Sequence, residues 1–248
     1  MKSMRFLFSL VVICCALTAF FRGCHPTPKH DVKETTVSNA TALSNPFSVS
    51  SPAYRQLAEF RQWLLTNKNL EVASGSASPI DRIKLSGQLG AKGMARLPTF
   101  FLEQYMPVMG KILNSLDDAA CSNFLRGKMS LTDFQPRAIP VIESFNEADA
   151  KAFFAVTKSA IDAQLDDLPI IVLPKEEAKQ SILKIAASLP ADKSKSFLAK
   201  LAHLKTESDA DVCATVRILF SQGALLSEPY RGYVARLLLS GMDGHDST

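Results

Sequence analysis

A single histidine in the body of the chain, His203, is the residue best suited to proton transfer near neutral pH. The other three, His25, His30 and His245, lie towards the two ends. His203 sits beside Phe197, Leu201 and Leu204 at helical spacing, which suits a histidine on a helix surface or at a core edge. A serine hydrolase built around it needs a serine on a Gly-x-Ser-x-Gly turn, and the sequence has none.

Ser181-Ile182-Leu183-Lys184 has the Ser-x-x-Lys spacing that places a lysine one helical turn from a serine nucleophile. The Ser-Asp-Asn and Lys-Thr-Gly stretches that accompany it in penicillin-interacting enzymes are missing, and a Ser and a Lys at this distance are common on polar helix faces. The acidic pairs Asp117/Asp118, Asp166/Asp167 and Glu176/Glu177 each stand at a helix end. Acids there complement the helix dipole, whereas a glycosidase acid and base come from separate elements facing one cleft. Cys24-His25 with His30 offers soft ligands but no second pair to complete a metal cage. The run Gly87 to Gly93 lacks both the phosphate-loop spacing and a preceding strand, so its glycines read as points of close helix packing or softness. No catalytic residue, metal or cofactor is assigned from these patterns.

The cysteines point to structure instead. Of five, Cys14 and Cys15 fall in the first apolar run and Cys24 at its edge, which leaves Cys121 and Cys213 in the body. Each follows an acidic helix start, in Asp117 to Cys121 and in Asp209 to Cys213. Neighbouring aspartates oppose the thiolate that reactive chemistry needs, so the two are expected to form a disulfide.

The elements that would position these residues are helices. Ser or Asp caps and early prolines mark starts at Ser51-Pro52, Ser78-Pro79 and Leu97-Pro98. The third helix is predicted to reach Leu116 and to kink or split at Pro107. Further helices are predicted over Asp118 to Arg126, Pro136 to Phe145, Glu147 to Leu165, Pro174 to Leu189, Ala191 to Lys205, Asp209 to Gln222 and Glu228 to Ser240. Tyr230, Tyr233, Val234, Leu237 and Leu238 form a stripe on the last, flanked by Arg231 and Arg236, which suits core packing, a groove or a membrane surface. A Ser-(Leu/Phe) pair followed seven residues later by Phe-(Leu/Phe) recurs at Ser115, Ser144 and Ser188. The apolar residue before a helix and the aromatic two turns into it would clamp a corner between helices. The offsets of 29 and 44 residues are unequal, which disfavours a regular repeat. Only Leu168 to Pro174, β-branched and fenced by prolines, breaks the helical pattern. It reads as a buried connector or as an exposed edge able to take a partner strand.

The chain opens on Lys2 and Arg5 followed by the apolar run Phe6 to Phe21, the layout of a secretory signal. Its 16 residues fall short of the roughly 20 that span hydrocarbon, although Arg22 could extend it by reaching the interface. Three fates stay open: retention as an anchor, cleavage near Ala19, and lipidation at Cys24. Residues 24–51 are rich in Ser, Thr, Asn and Pro and are expected to be a disordered tether, roughly 30 Å long on average. Asn39-Ala40-Thr41 matches a glycosylation acceptor.

The net charge of +4 resides mainly in the leader. Lys2, Arg5 and Arg22 give +3, residues 25–52 balance, and +1 is left for the rest. A nearly neutral body has no basic stripe with which to displace counterions, so nucleic-acid binding is not expected.

The sequence therefore predicts an N-terminal signal or anchor over 1–23, a tether over 24–51, one all-α domain over 52–241 and a disordered tail over 242–248. The domain should be an irregular bundle, or a short repeat-like stack, of about eight to ten helices pinned by Cys121 and Cys213. Its expected place is the cell envelope, attached to the inner membrane or periplasmic. The expected role is non-enzymatic binding of a protein partner, as an assembly factor, chaperone, inhibitor or immunity-type protein. Two other readings are an envelope hydrolase whose site has no linear motif, and a carrier of lipid or small molecules with a cavity near Phe100, Phe101 and Tyr105.

Overall fold

The computed structural model describes residues 44–75 and 78–240. The leader, residues 24–43 of the expected tether, the tail, and with them Cys24, His25, His30, Asn39 and His245, lie outside the described residues. Among the described residues there are eleven α-helices and one 3-10 turn, Met94–Arg96. The helices are α1 (Pro52–Thr66), α2 (Lys68–Ser74), α3 (Pro79–Gly93), α4 (Thr99–Ser115), α5 (Asp118–Leu125), α6 (Leu131–Glu143), α7 (Glu147–Leu165), α8 (Lys175–Ser188), α9 (Ala191–Ala202), α10 (Asp209–Gly223) and α11 (Tyr230–Leu239). The all-α expectation holds.

Side-chain caps explain many of the starts. Ser51, Asn67, Asp117, Ser130, Asn146 and Ser208 each accept a backbone N–H from two or three residues ahead, which satisfies one of the donors left open by a helix beginning. Asn67 serves twice. Its N–H closes α1 on the Trp63 carbonyl while its side chain caps α2, which is how a helix not predicted from the sequence begins at once after α1.

Pro107 was expected to kink or split its helix and Pro136 to begin one, yet both lie within continuous helices. Pro107 lies inside a continuous α4, and Pro136 and Pro140 inside α6. All three are exposed. The hydrogen bonds they forgo are on the solvent side, while Tyr105, Met106, Val108 and Met109 of α4, and Phe134, Ala138 and Ile142 of α6, hold the opposite faces in the core.

Helix α7 runs through the first half of the bundle. Against it α1 lies parallel, with Arg55 paired to Glu147, Phe60 5.9 Å from Phe154 and the Lys158 ammonium 4.8 Å from the Trp63 ring. Helix α4 lies antiparallel to α7, with Lys111 paired to Asp149 and the rings of Tyr105 and Phe153 5.8 Å apart. The buried small stripe of Ser86, Gly87, Gly90 and Gly93 on α3 lets that helix come close to α7. In the second half, α10 packs antiparallel to α5, and α11 returns to lie on α4. A stack touches only successive neighbours, so these returns make the fold a bundle.

The recurring corner lies where the spacing put it. Ser115, Ser144 and Ser188 end or follow α4, α6 and α8, and each hydroxyl donates 2.7 Å to the carbonyl three residues back. Leu116 and Phe145 in the turns are buried, and so are Phe124, Phe153 and Phe197 two turns on. The Phe145 and Phe153 rings meet edge to face at 6.1 Å.

The last eight residues of the stretch expected to be a tether pack against the helices. Residues 44–51 are anchored: Phe47 is buried, the Asn45 amide donates 2.9 Å to the Tyr54 carbonyl, the Ser48 N–H meets the Glu143 carboxylate at 3.2 Å, and the Ser51 hydroxyl donates to the Glu143 carbonyl. One aromatic side chain with apolar area to bury, held by three polar contacts, is what the composition of this stretch concealed.

Candidate functional site

The residues first considered for catalysis are occupied with structure. His203 is exposed at the end of α9, where its carbonyl accepts the N–H groups of Thr206 and Glu207. Ser181 is fully buried and its hydroxyl donates 2.7 Å to the Glu177 carbonyl, while Lys184 lies over the Tyr230 ring. Asp117 caps α5, accepting from Ala120 at 2.7 Å, and Asp118 pairs with Arg217 at 2.9 Å. Asp166 ends α7, and Asp167, in a left-handed backbone conformation, pairs with Arg96 at 2.9 Å. Among the described residues no group of three His, Cys, Asp or Glu side chains could hold a metal. No helix among them is long and apolar enough to cross a membrane.

Cys121 and Cys213 are brought together. They form a disulfide between the first turns of α5 and α10, with Cα atoms 5.8 Å apart and both residues fully buried. Beside it Asp209 accepts the Ser122 hydroxyl at 2.7 Å and pairs with Arg126 at 3.2 Å. The thiols are thus a staple under a polar cover.

Phe100, Phe101 and Tyr105 do not line one cavity. Phe100 is 51% exposed on the surface, the Phe101 ring lies tilted beside it with centroids 4.0 Å apart, and Tyr105 is fully buried against Phe153. Helix α11 is a core helix, buried along most of its length against α4, α8 and α10.

The most distinctive surface is the strap between α7 and α8, Leu168 to Pro174. It is neither wholly buried nor free. Leu173 is buried, whereas Leu168 is 42%, Ile171 39% and Val172 57% exposed. Its backbone is held from the inner side. The Ile171 N–H donates 2.9 Å to the Ala95 carbonyl, the Arg236 guanidinium donates 3.2 Å to the Ile171 carbonyl, and Arg96 donates to the Leu168 carbonyl.

Arg236 is the clamp that sequence reasoning missed. Read as a charge flanking the α11 stripe, it is only 3% exposed and also donates to the Leu97 carbonyl at 2.6 Å and to the Thr99 hydroxyl. All its acceptors are neutral, so burial lowers its pKa from the usual arginine range. The available signal was its position four residues after Gly232, on the face where α11 approaches α4 most closely.

A second charged cluster joins the same two helices. Arg231 pairs with Glu103 at 3.3 Å and with Glu228. Burial first, then the adjacent Glu228 carboxyl, raises the Glu103 pKa, and Arg231 opposes the shift.

No protein-family model, curated protein or solved structure matches this chain.

Proposed function

We propose that this is an exported protein held at a membrane of the cell envelope, whose helical domain binds a protein partner without catalysing a reaction. Assembly factor, chaperone, inhibitor and immunity-type protein are the roles of that kind. One observation carries the reading: an anchored, solvent-facing apolar strap on a rigid helical body, in a chain whose first residues have the layout of a secretory leader. Ser181, His203 and the acidic pairs, each placed in a structural contact or on open surface, supply no competing constellation.

The intact mass of the chain, taken from a membrane preparation without reductant and after thiol alkylation, tests the placement. A full-length or acylated mass with Cys121 and Cys213 unalkylated supports a tethered, disulfide-pinned domain. A mass shortened near residues 19 to 24 in the soluble fraction, with two alkylated cysteines in the body, overturns it.

A further inference from the structure

In an extended backbone the N–H and C=O of one residue point to the same side, and those of the next residue to the other. At Ile171 both groups point inward, to Ala95 and Arg236. The N–H and C=O of Ile170 and Val172, its neighbours on either side, find no hydrogen-bond partner among the described residues. The strap thus has one side spent on the helices and the other open, as a lone strand would. Pro169 and Pro174, which cannot donate, close it at both ends and limit pairing to the residues between.

We propose that the strap captures an extended apolar segment of the partner protein by strand addition, pairing with the N–H and C=O groups of Ile170 and Val172. This rests on the partner-binding reading above and names its site. The exposed side chains of Leu168 and Val172 share the strand face of Ile170 and give alternate residues of the incoming segment an apolar surface. Phe100, 51% exposed, follows the Thr99 whose hydroxyl accepts from the same Arg236 that holds the strap. Four partly exposed side chains fall far short of the roughly 800 Å² per partner that a stable pair of copies buries, so the surface fits a short segment rather than a second copy of this chain. Its location also suits an outside partner. Residues 44–51 join the bundle beside Glu143, the last residue of α6 just ahead of α7, and the strap leaves from the far end of the 19-residue α7, whose length is about 28 Å at 1.5 Å per residue.

A photocrosslinking residue placed at Val172 or, separately, at the exposed Leu225 of the full chain in its native cells gives the test. The expected result is an adduct at 172 whose crosslinked stretch, made as a synthetic peptide, slows amide exchange at Ile170 and Val172 by about tenfold or more. The same peptide N-methylated at alternate backbone nitrogens should fail to do so. Equal protection by both peptides, or none by either, overturns strand addition. Adducts at 225 alone overturn the strap as the site and leave the binding reading standing. Adducts at neither position overturn both.

Discussion

Gly93 on α3 stands directly against the backbone of Ala160 on α7: a Cβ on Gly93 would lie 1.7 Å from the Ala160 carbonyl oxygen. Backbone cannot rotate aside as a side chain can. Gly93→Ala must therefore push α3 and α7 apart along their whole contact, and it is expected to destabilise the protein by about 3 kcal/mol or more. Urea denaturation of the variant measures it, and a change within about 0.5 kcal/mol would show that the helices are not this close.

Arg236→Met should cost about 2 to 4 kcal/mol, because it leaves the carbonyls of Leu97 and Ile171 and the Thr99 hydroxyl without their donor. The loss should not be uniform. Hydrogen exchange is expected to rise most at Ile171 and the start of α4, and an even rise across the bundle would contradict the role given to this guanidinium.

The disulfide spans 92 residues, a separation for which the chain-entropy model gives about 4 to 5 kcal/mol of stabilisation. Cys121→Ala with Cys213→Ala, compared with the oxidised protein, should lower the denaturation midpoint accordingly. Equal midpoints for the two proteins would mean that the bond does not form in the native chain.

Glu103 gives a pH dependence of defined sign. Its folded-state pKa is raised, so the native chain binds this proton more readily than the unfolded chain does. The contribution to stability is complete below the ordinary glutamate value of about 4.3 and declines as pH rises through the raised folded value. The stability of the wild type minus that of Glu103→Gln should therefore fall as pH rises above the ordinary glutamate value of about 4.3. Parallel stability curves would sink the assignment.

Phe47→Ala tests whether residues 44–51 belong to the folded body. Loss of a buried phenylalanine should cost about 3 kcal/mol, against almost nothing for an alanine in a free tether. A calorimetric comparison of the two full chains distinguishes these outcomes.

Much of the helical frame is legible from local chemistry. Ser51, Asp117 and Ser208 announce starts because a cap acts within three residues, and the glycines of α3 mark the close approach to α7. The features that escaped depend on distant partners or on isolated residues. Phe47 has no apolar neighbours at a helical or strand period, so nothing around it signals burial. Pro107 reads as a break, and Pro136 as a helix start rather than an interior residue, because the sequence does not reveal that both face solvent. The strap was recognisable by its β-branched residues between prolines, but the side of it that is open depends on Ala95, Arg96 and Arg236, far away along the chain. Arg236 itself looks like any surface arginine until Leu97, Thr99 and Ile171 surround it.

The strap lies within the stretch of chain that Cys121 and Cys213 close into a loop. A protease that cuts this exposed connector between Ile171 and Val172 therefore produces two polypeptides but releases neither. The piece carrying α1 to α7 holds Cys121, the piece carrying α8 to α11 holds Cys213, and the two travel as one covalent body until a reductant parts them.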